Sequence, residues 1–256
     1  MAEASIASRA LDALAVAEKA HYPFKNYRHA RTRSVLFVGC NVASLFPRTV
    51  EAAVRLLGEY GVGVVYDCCG APLALEGDGA EAARVRGGVM RRLRERGVEE
   101  VVALCPTCAS VLEREGELRV VSVYAKLREL GLGCTLAPDG AVFPPCPDRR
   151  DGTWLRDVLA FFEGDPPVLA KAPCCGLGEG GGPRRPDQAR AMAQACIEQA
   201  RAAAAGPLYV YCASCAGSFA THGEPEVRYV LSGLLGIVEE PHVRSALFNR
   251  ARAAFR

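Results

Sequence analysis

The sequence lacks any long uncharged apolar run, and residues 1–20 carry charges along their whole length. A membrane-spanning helix needs about 18 or more consecutive apolar residues, and a secretory signal needs an uninterrupted apolar core. An excess of one charge is also missing, because 31 basic residues stand against 29 acidic ones. With this balance, the sequence has no excess of positive charge that would attract nucleic acid or an anionic membrane. We therefore expect a globular cytoplasmic protein with no nucleic-acid partner and no direct membrane span.

Cysteine, in contrast, is abundant, with twelve residues in a chain of 256. The cytoplasm is reducing, so cysteines there rarely serve as a disulfide framework. They are more often metal ligands or redox groups. Half of all residues are apolar, which is enough to bury a core in one large domain or two smaller ones.

Short apolar runs alternate with amphipathic helical segments, and the alternation occurs twice. Strands are predicted over 34–39, 62–67, 99–104 and 119–124 in the first half, and over 140–143, 166–170 and 208–211 in the second. Helices are predicted after Pro47, from about Glu81 to Gly97, from Trp154 to Phe162 and from Asp187. Strands separated by helices favour right-handed crossovers and parallel sheets.

This pattern predicts an α/β fold with two pseudo-symmetric, Rossmann-like half-domains. We expect the half-domains over residues 34–133 and 134–230, with the boundary in the Gly- and Pro-containing stretch from Gly131 to Pro145. Residues 1–33 and 231–256 are predicted to be N- and C-terminal helical extensions. The aromatic-rich segment 21–33 could either dock a partner or pack the extension onto the first half.

Ten of the twelve cysteines fall into two sets of five with almost the same spacing. In each set a single cysteine is followed after 27 residues by an adjacent pair, and after 35 or 36 more by a Cys-x-x-Cys motif. The first set is Cys40, Cys68, Cys69, Cys105 and Cys108, and the second is Cys146, Cys174, Cys175, Cys212 and Cys215. The first cysteine of each motif directly follows a predicted strand. Because parallel strands end at one edge of a sheet, each set is expected to converge there.

Five thiolates are one more than a tetrahedral structural zinc ion uses. Iron–sulfur clusters are held by cysteine thiolates, often with proline nearby, and Cys105, Cys146 and Cys174 each have a proline beside them. Gly70 and Gly176 follow the two adjacent pairs and would let the backbone approach a cluster. Zinc ligands or plain buried thiols are the alternative interpretation of the ten residues. Cys134 and Cys196 fall outside the repeat and are predicted not to be ligands, with Val89 or Met90 at the position equivalent to Cys196.

At these motifs the sequence resembles the cysteine-rich CCG-domain family, which includes the CCG-containing subunit of heterodisulfide reductase. The family pattern is a cysteine, a spacer of about thirty residues, Cys-Cys-Gly, a spacer in the middle thirties and Cys-x-x-Cys, and it occurs here twice between residues 34 and 220. The resemblance implies two non-cubane [4Fe-4S] clusters facing each other across the half-domains, each held by the five cysteines of one set. It implies disulfide reduction at the clusters themselves, so no side chain is assigned a catalytic role.

The sequence contains no ferredoxin-type Cys-x-x-Cys-x-x-Cys run and no convincing flavin motif. Electrons are therefore expected from a partner, either a flavin subunit or a ferredoxin-like subunit, and the substrate is expected to be a small disulfide or another small molecule. Disulfide reduction predicts an open, partly charged cleft between the halves. Two alternatives remain: an electron-relay subunit of a hydroxy-acid or quinone-linked oxidoreductase, with clusters sealed from bulky substrates, and a zinc-stabilised interaction module without redox activity.

Overall fold

Two sheets, parallel except at one edge, lie at the centre of the structure. The computed structural model describes residues 17–178, 185–223 and 226–255, so the part of the predicted N-terminal extension before residue 17 lies outside the described residues. The strands of the first sheet are β1 (Asn26–His29), β2 (Ser34–Phe37), β3 (Gly63–Tyr66), β4 (Glu100–Ala103) and β5 (Arg119–Ser122). Their spatial order is β1-β3-β2-β4-β5, and every neighbouring pair is parallel except β1 with β3.

The second sheet repeats the arrangement of the first with shorter strands. It contains β6 (Ala141–Phe143), β7 (Leu208–Val210) and β8 (Val227–Tyr229), all parallel and in that order. The predicted strand at 166–170 is reduced to one parallel bridge between Val168 and Val142, on the side of β6 where β3 would lie in the first sheet. Pro166 and Pro167 have no backbone N–H to donate, which limits pairing there.

Helices connect the strands and cover the sheets. In the first half they are α1 (Cys40–Leu45), α2 (Pro47–Gly58), α3 (Ala71–Leu75), α4 (Gly79–Arg94), α5 (Pro106–Glu113) and α6 (Val123–Glu129). In the second half they are α7 (Thr153–Leu159), α8 (Pro186–Ala203), α9 (Ala213–Thr221), α10 (Val230–Leu234) and α11 (Ala246–Ala254). The predicted strand at 119–124 ends at Ser122, whose side chain accepts a hydrogen bond from Ala125 N and starts α6. The alternating elements confirm the predicted α/β class with two repeated halves.

Two glycines fix the same close contact in each half. Gly70 and Gly176 have φ angles of 85° and 93°, and a Cβ on them would lie 2.8 Å from Ala82 O and 2.3 Å from Ala189 O. The loop after each cysteine pair therefore touches the backbone of a later long helix, α4 in the first half and α8 in the second. The matching contacts align Ala82 with Ala189, and the same offset places Cys196 opposite Val89.

Gly176→Ala should lower the free energy of unfolding by about 2–4 kcal/mol, because the new methyl group meets a backbone oxygen as well as an unfavourable φ. Gly61→Ala is a matched control, since Gly61 also has a positive φ of 75° but nothing within 4 Å of the added Cβ. It should cost only about 1 kcal/mol. Urea unfolding of both variants measures the difference, and equal costs would show that the contact with Ala189 is not tight.

The two terminal extensions pack against the first half. Within the N-terminal extension, residues 17–21 are helical, but Asn26–His29 form the edge strand β1, which corrects the expectation of a helical extension. The segment 21–33 thus packs onto the first half through β1. At the other end, the buried Glu239 carboxylate accepts hydrogen bonds from Arg48 N at 2.9 Å and Thr49 N at 2.8 Å, at the start of α2. Among the described residues, no helix is both long and apolar enough to cross a membrane.

Candidate metal centre

The first cysteine set lies where β2, β3 and β4 end. Cys40 begins α1, the adjacent pair follows β3, Cys105 directly precedes α5, and Cys108 lies in the first turn of α5. The Cys40 thiol hydrogen-bonds with that of Cys68, and the Cys108 thiol hydrogen-bonds with those of Cys69 and Cys105. All five side chains are buried. The structure therefore brings the set together at one sheet edge.

The second set has the same arrangement at the end of the second sheet. Cys146 begins a 3₁₀ turn after β6, the adjacent pair follows the bridge at Val168, and Cys212 and Cys215 lie at the first turn of α9. Hydrogen bonds join Cys146 to Cys174 and Cys215 to both Cys175 and Cys212. Four of these side chains are buried, and Cys146 is partly exposed.

The two sets are in direct contact. The thiols of Cys105 and Cys212, which are equivalent positions of the two repeats, hydrogen-bond to each other. Beside them, Tyr229 Oη donates to Leu104 O at 3.1 Å, and Asn41 Nδ2 in the first half donates to Ser214 Oγ in the second at 2.7 Å. Cys105 and Cys212 are 5% and 3% exposed, so their junction is closed to solvent.

One thiol in each set has a lowered pKa. The pKa of Cys40 falls to about 6, because Cys68 donates a hydrogen bond to it and the positive charges of Lys19 and Arg250 lie nearby. The pKa of Cys212 is well below its ordinary value because Cys105 and Cys215 donate hydrogen bonds to it. Metal ligation requires the thiolate form. Both sets thus contain a cysteine that is already favoured as a thiolate.

Fixed positive charge lies close to each set. The Arg149 guanidinium donates to three backbone carbonyls that precede the cysteines of the second set, those of Pro144 at 3.0 Å, Ala172 at 2.6 Å and Pro173 at 2.9 Å. At the first set, Arg250 Nε donates to Ser44 Oγ at 2.8 Å, and Ser44 Oγ donates to Cys40 O at 2.7 Å. No local pattern in the sequence points to Lys19 or Arg250 as charges at the first set, because both lie in the terminal extensions.

The two remaining cysteines lie apart from these thiol contacts. Cys134 is exposed, while Cys196 is buried and its thiol donates to Pro173 O at 3.1 Å. Cys196 therefore supports the backbone next to Cys174, and it occupies the core position that Val89 has in the first half. The prediction that neither is a ligand stays a prediction.

The chemistry of the ten cysteines fits thiolate ligation of iron. Each set supplies five sulfur donors, almost all buried, and one of them has a lowered pKa. In the described part of the chain no three His, Cys, Asp or Glu side chains are already placed to hold a metal ion. The preference for a cluster surrounded by several thiolates over a single ion held by three or four rests on the type, number and burial of the donors.

Comparison with known proteins covers the same residues. The family model of the cysteine-rich domain, CCG, matches residues 34–113 and 133–220. An uncharacterized iron-sulfur protein of Methanococcus maripaludis is 26% identical over 199 residues, which is 72% of this chain and 40% of that protein. An uncharacterized iron-sulfur protein of Methanocaldococcus jannaschii is 26% identical over 169 residues, 61% of this chain and 35% of that protein. The chain therefore spans less than half the length of either relative. Since both matched regions contain a complete five-cysteine set, the chain belongs to the cysteine-rich CCG-domain family.

Proposed function

We propose that the protein is an iron–sulfur oxidoreductase subunit that holds two [4Fe-4S] clusters of the non-cubane type. The first set would bind one cluster and the second set the other. The observation that carries the proposal is the contact between Cys105 and Cys212, which joins two sets of five thiols, nine of the ten buried. The names of the two relatives, both iron-sulfur proteins, support the same chemistry.

The residues around the sets have separable roles in this proposal. The ten cysteines hold the clusters, which supply one-electron redox chemistry when bound. Arg149 orients the backbone before Cys146 and Cys174 through its three carbonyl contacts. The closed junction excludes water from the point where the sets meet, and exclusion of water strengthens local electrostatic interactions. An electron could therefore pass between the halves without crossing solvent.

The reaction we propose is reduction of a small disulfide, by resemblance to the CCG-containing subunit of heterodisulfide reductase. Each disulfide takes up two electrons and two protons, its S–S bond breaks, and two thiols are released. The electrons would come from a flavin or ferredoxin-like partner subunit, for which the sequence has no motif of its own. The partner remains a proposal, as does cytoplasmic location.

One observation favours a second candidate, the electron-relay subunit. Disulfide reduction at facing clusters predicts an open cleft between the halves, but the junction at Cys105 and Cys212 is closed. Tyr124 and Tyr229, both fully buried, lie beside it. A relay would need such a sealed contact and no entry for a substrate.

A reduced sample separates the two candidates. The protein is purified anaerobically, reduced with dithionite, freed of excess reductant and mixed with bis(2-hydroxyethyl) disulfide, while the cluster signal is followed by electron paramagnetic resonance. A disulfide reductase should lose the signal of the reduced state and release two thiols per disulfide. The matched thioether, which has no S–S bond, should leave the signal unchanged. A signal indifferent to the disulfide would reject the reductase and leave the relay.

A further inference from the structure

The first cysteines of the two sets differ in exposure. Cys40 and Cys146 hold equivalent positions in the repeat, each directly after the first strand of its parallel repeat. Cys40 is 5% exposed and its neighbour Cys68 is 0% exposed, whereas Cys146 is partly exposed. Two sets built by the same spacing are thus covered differently.

Residues 17–24 and α11, together called the cap here, cover the first set. Tyr22 is 2% exposed and packs against Cys40 and Cys68, with Phe24 at its edge. From α11, Arg250 is ion-paired with Glu18 in the N-terminal part of the cap, so the two ends of the chain close over the same thiols. Both parts of the cap lie outside the residues that match the family.

Contacts with α1 hold the cap in place. Arg250 Nε donates to Ser44 Oγ, and Asn249 Nδ2 donates to Ser44 O at 3.0 Å. Tyr22 has a φ of 26°, the left-handed region that a tyrosine rarely adopts, so its packed position is held against backbone strain. The cap is therefore a built feature of the fold.

The second set is covered less completely. In the described ranges no segment equivalent to the cap lies over Cys146, and the next residue, Pro147, is exposed. Gly178 approaches the sulfur of Cys174, since a Cβ built on Gly178 would lie 3.8 Å from Cys174 Sγ. Gly178 itself therefore places no side chain beside the Cys174 sulfur.

We infer that a small thiol or disulfide reaches only the second set, at Cys146, and that the cap reserves the first set for electron exchange through the Cys105–Cys212 contact. This inference rests on the proposed function, because it assigns different tasks to the two clusters. It names a sulfur compound as the ligand, since a soft sulfur donor is what an iron–sulfur site binds. The first set then serves as an internal relay for a reaction at the second.

Single-set variants test the inference in the cluster-containing protein. Cys69→Ser should retain the second cluster, and Cys175→Ser the first. Added 2-mercaptoethanol should shift the paramagnetic signal of Cys69→Ser and leave that of Cys175→Ser unchanged. Equal shifts in both variants, or a shift only in Cys175→Ser, would overturn the assignment.

Alkylation of the cluster-free chain tests the cap independently of any cluster. Iodoacetamide labelling is followed by peptide mass spectrometry, with exposed Cys134 as the reference for free access and buried Cys196 as the reference for protection. Cys40 should label at least tenfold more slowly than Cys134, although its lowered pKa favours reaction. Tyr22→Ala should raise the Cys40 rate at least tenfold while Cys196 stays protected, which shows that the core remains folded.

The two experiments fail in different ways. A chain without iron and sulfide would reject the proposed function, yet the labelling would still decide whether the cap covers the first set. Cys40 labelling as fast as Cys134, or unchanged by Tyr22→Ala with Cys196 protected, would overturn the inference even if both clusters are present.

Discussion

Replacing Cys69 with serine should leave the chain with one cluster instead of two. Cys69 hydrogen-bonds with Cys108 in the first set, and Cys175 with Cys215 in the second, so the two changes are equivalent in the repeat. A serine hydroxyl is a poor substitute for a thiolate at an iron–sulfur site. Iron and acid-labile sulfide should fall to about half in each variant, because four cysteines do not reproduce a five-thiolate site.

Spectra and a matched control identify which cluster is lost. Cys69→Ser and Cys175→Ser should lose different components of the paramagnetic signal, and together the losses should account for the wild-type spectrum. Cys134→Ser removes an exposed thiol outside both sets and should keep the full iron content. If both cluster variants keep all their iron, the assignment of five ligands to each set is wrong.

Asp148→Ala should produce the largest loss of stability outside the cysteines. The buried Asp148 carboxylate accepts hydrogen bonds from Trp154 N at 2.9 Å, Leu155 N at 2.8 Å and Tyr211 Oη at 2.8 Å. Alanine removes the acceptor for the start of α7 and leaves a buried phenol unpaired. Loss of these three bonds should lower the free energy of unfolding by about 3–5 kcal/mol.

Two milder substitutions measure how much single hydrogen bonds contribute to this loss of stability. Tyr211→Phe removes one hydrogen bond and should cost about 1 kcal/mol, and Asp148→Asn keeps one oxygen acceptor and should fall between the other two. Anaerobic urea unfolding measures all three. Because Tyr211 precedes Cys212 and Asp148 lies two residues after Cys146, Asp148→Ala should also weaken the second cluster more than the first. A cost below about 0.5 kcal/mol, the size of an ordinary surface change, would contradict the role of Asp148.

Local signals in the sequence predicted the parts of the structure that depend on local chemistry. Apolar runs predicted β2, β3, β4 and β7, and the repeat of cysteine spacing placed each motif at the end of a strand. The convergence of each set then follows from parallel topology alone. The alternation was also sufficient to predict that the two halves repeat, with α4 and α8 as equivalent helices.

The sequence did not predict features that depend on distant partners. β1 was missed because it is a polar edge strand, Asn26–His29, that owes its conformation to pairing with β3. β8 was missed because it has only three residues, Val227–Tyr229, with an exposed arginine at its centre. The ion pair of Glu18 with Arg250 joins residues 232 positions apart. No local pattern in either extension signals that both close over Cys40.

The contact between the two sets was likewise beyond local reasoning. The spacing predicted two sites, but it gave no reason for Cys105 and Cys212 to touch. That contact depends on how the halves pack, for example through Phe46 stacked on Tyr229 with ring centroids 4.3 Å apart. Because this junction is closed, the structure supports the relay function as a serious alternative to disulfide reduction.

Metal analysis of anaerobically purified protein tests the central claim most directly. Iron, acid-labile sulfide and zinc are measured per chain on the same sample, with protein determined by amino-acid analysis. Two clusters of four irons predict about eight iron and about eight sulfide ions per chain, with little zinc. Stoichiometric zinc without acid-labile sulfide would contradict the iron–sulfur function and leave a zinc-stabilised interaction module in its place.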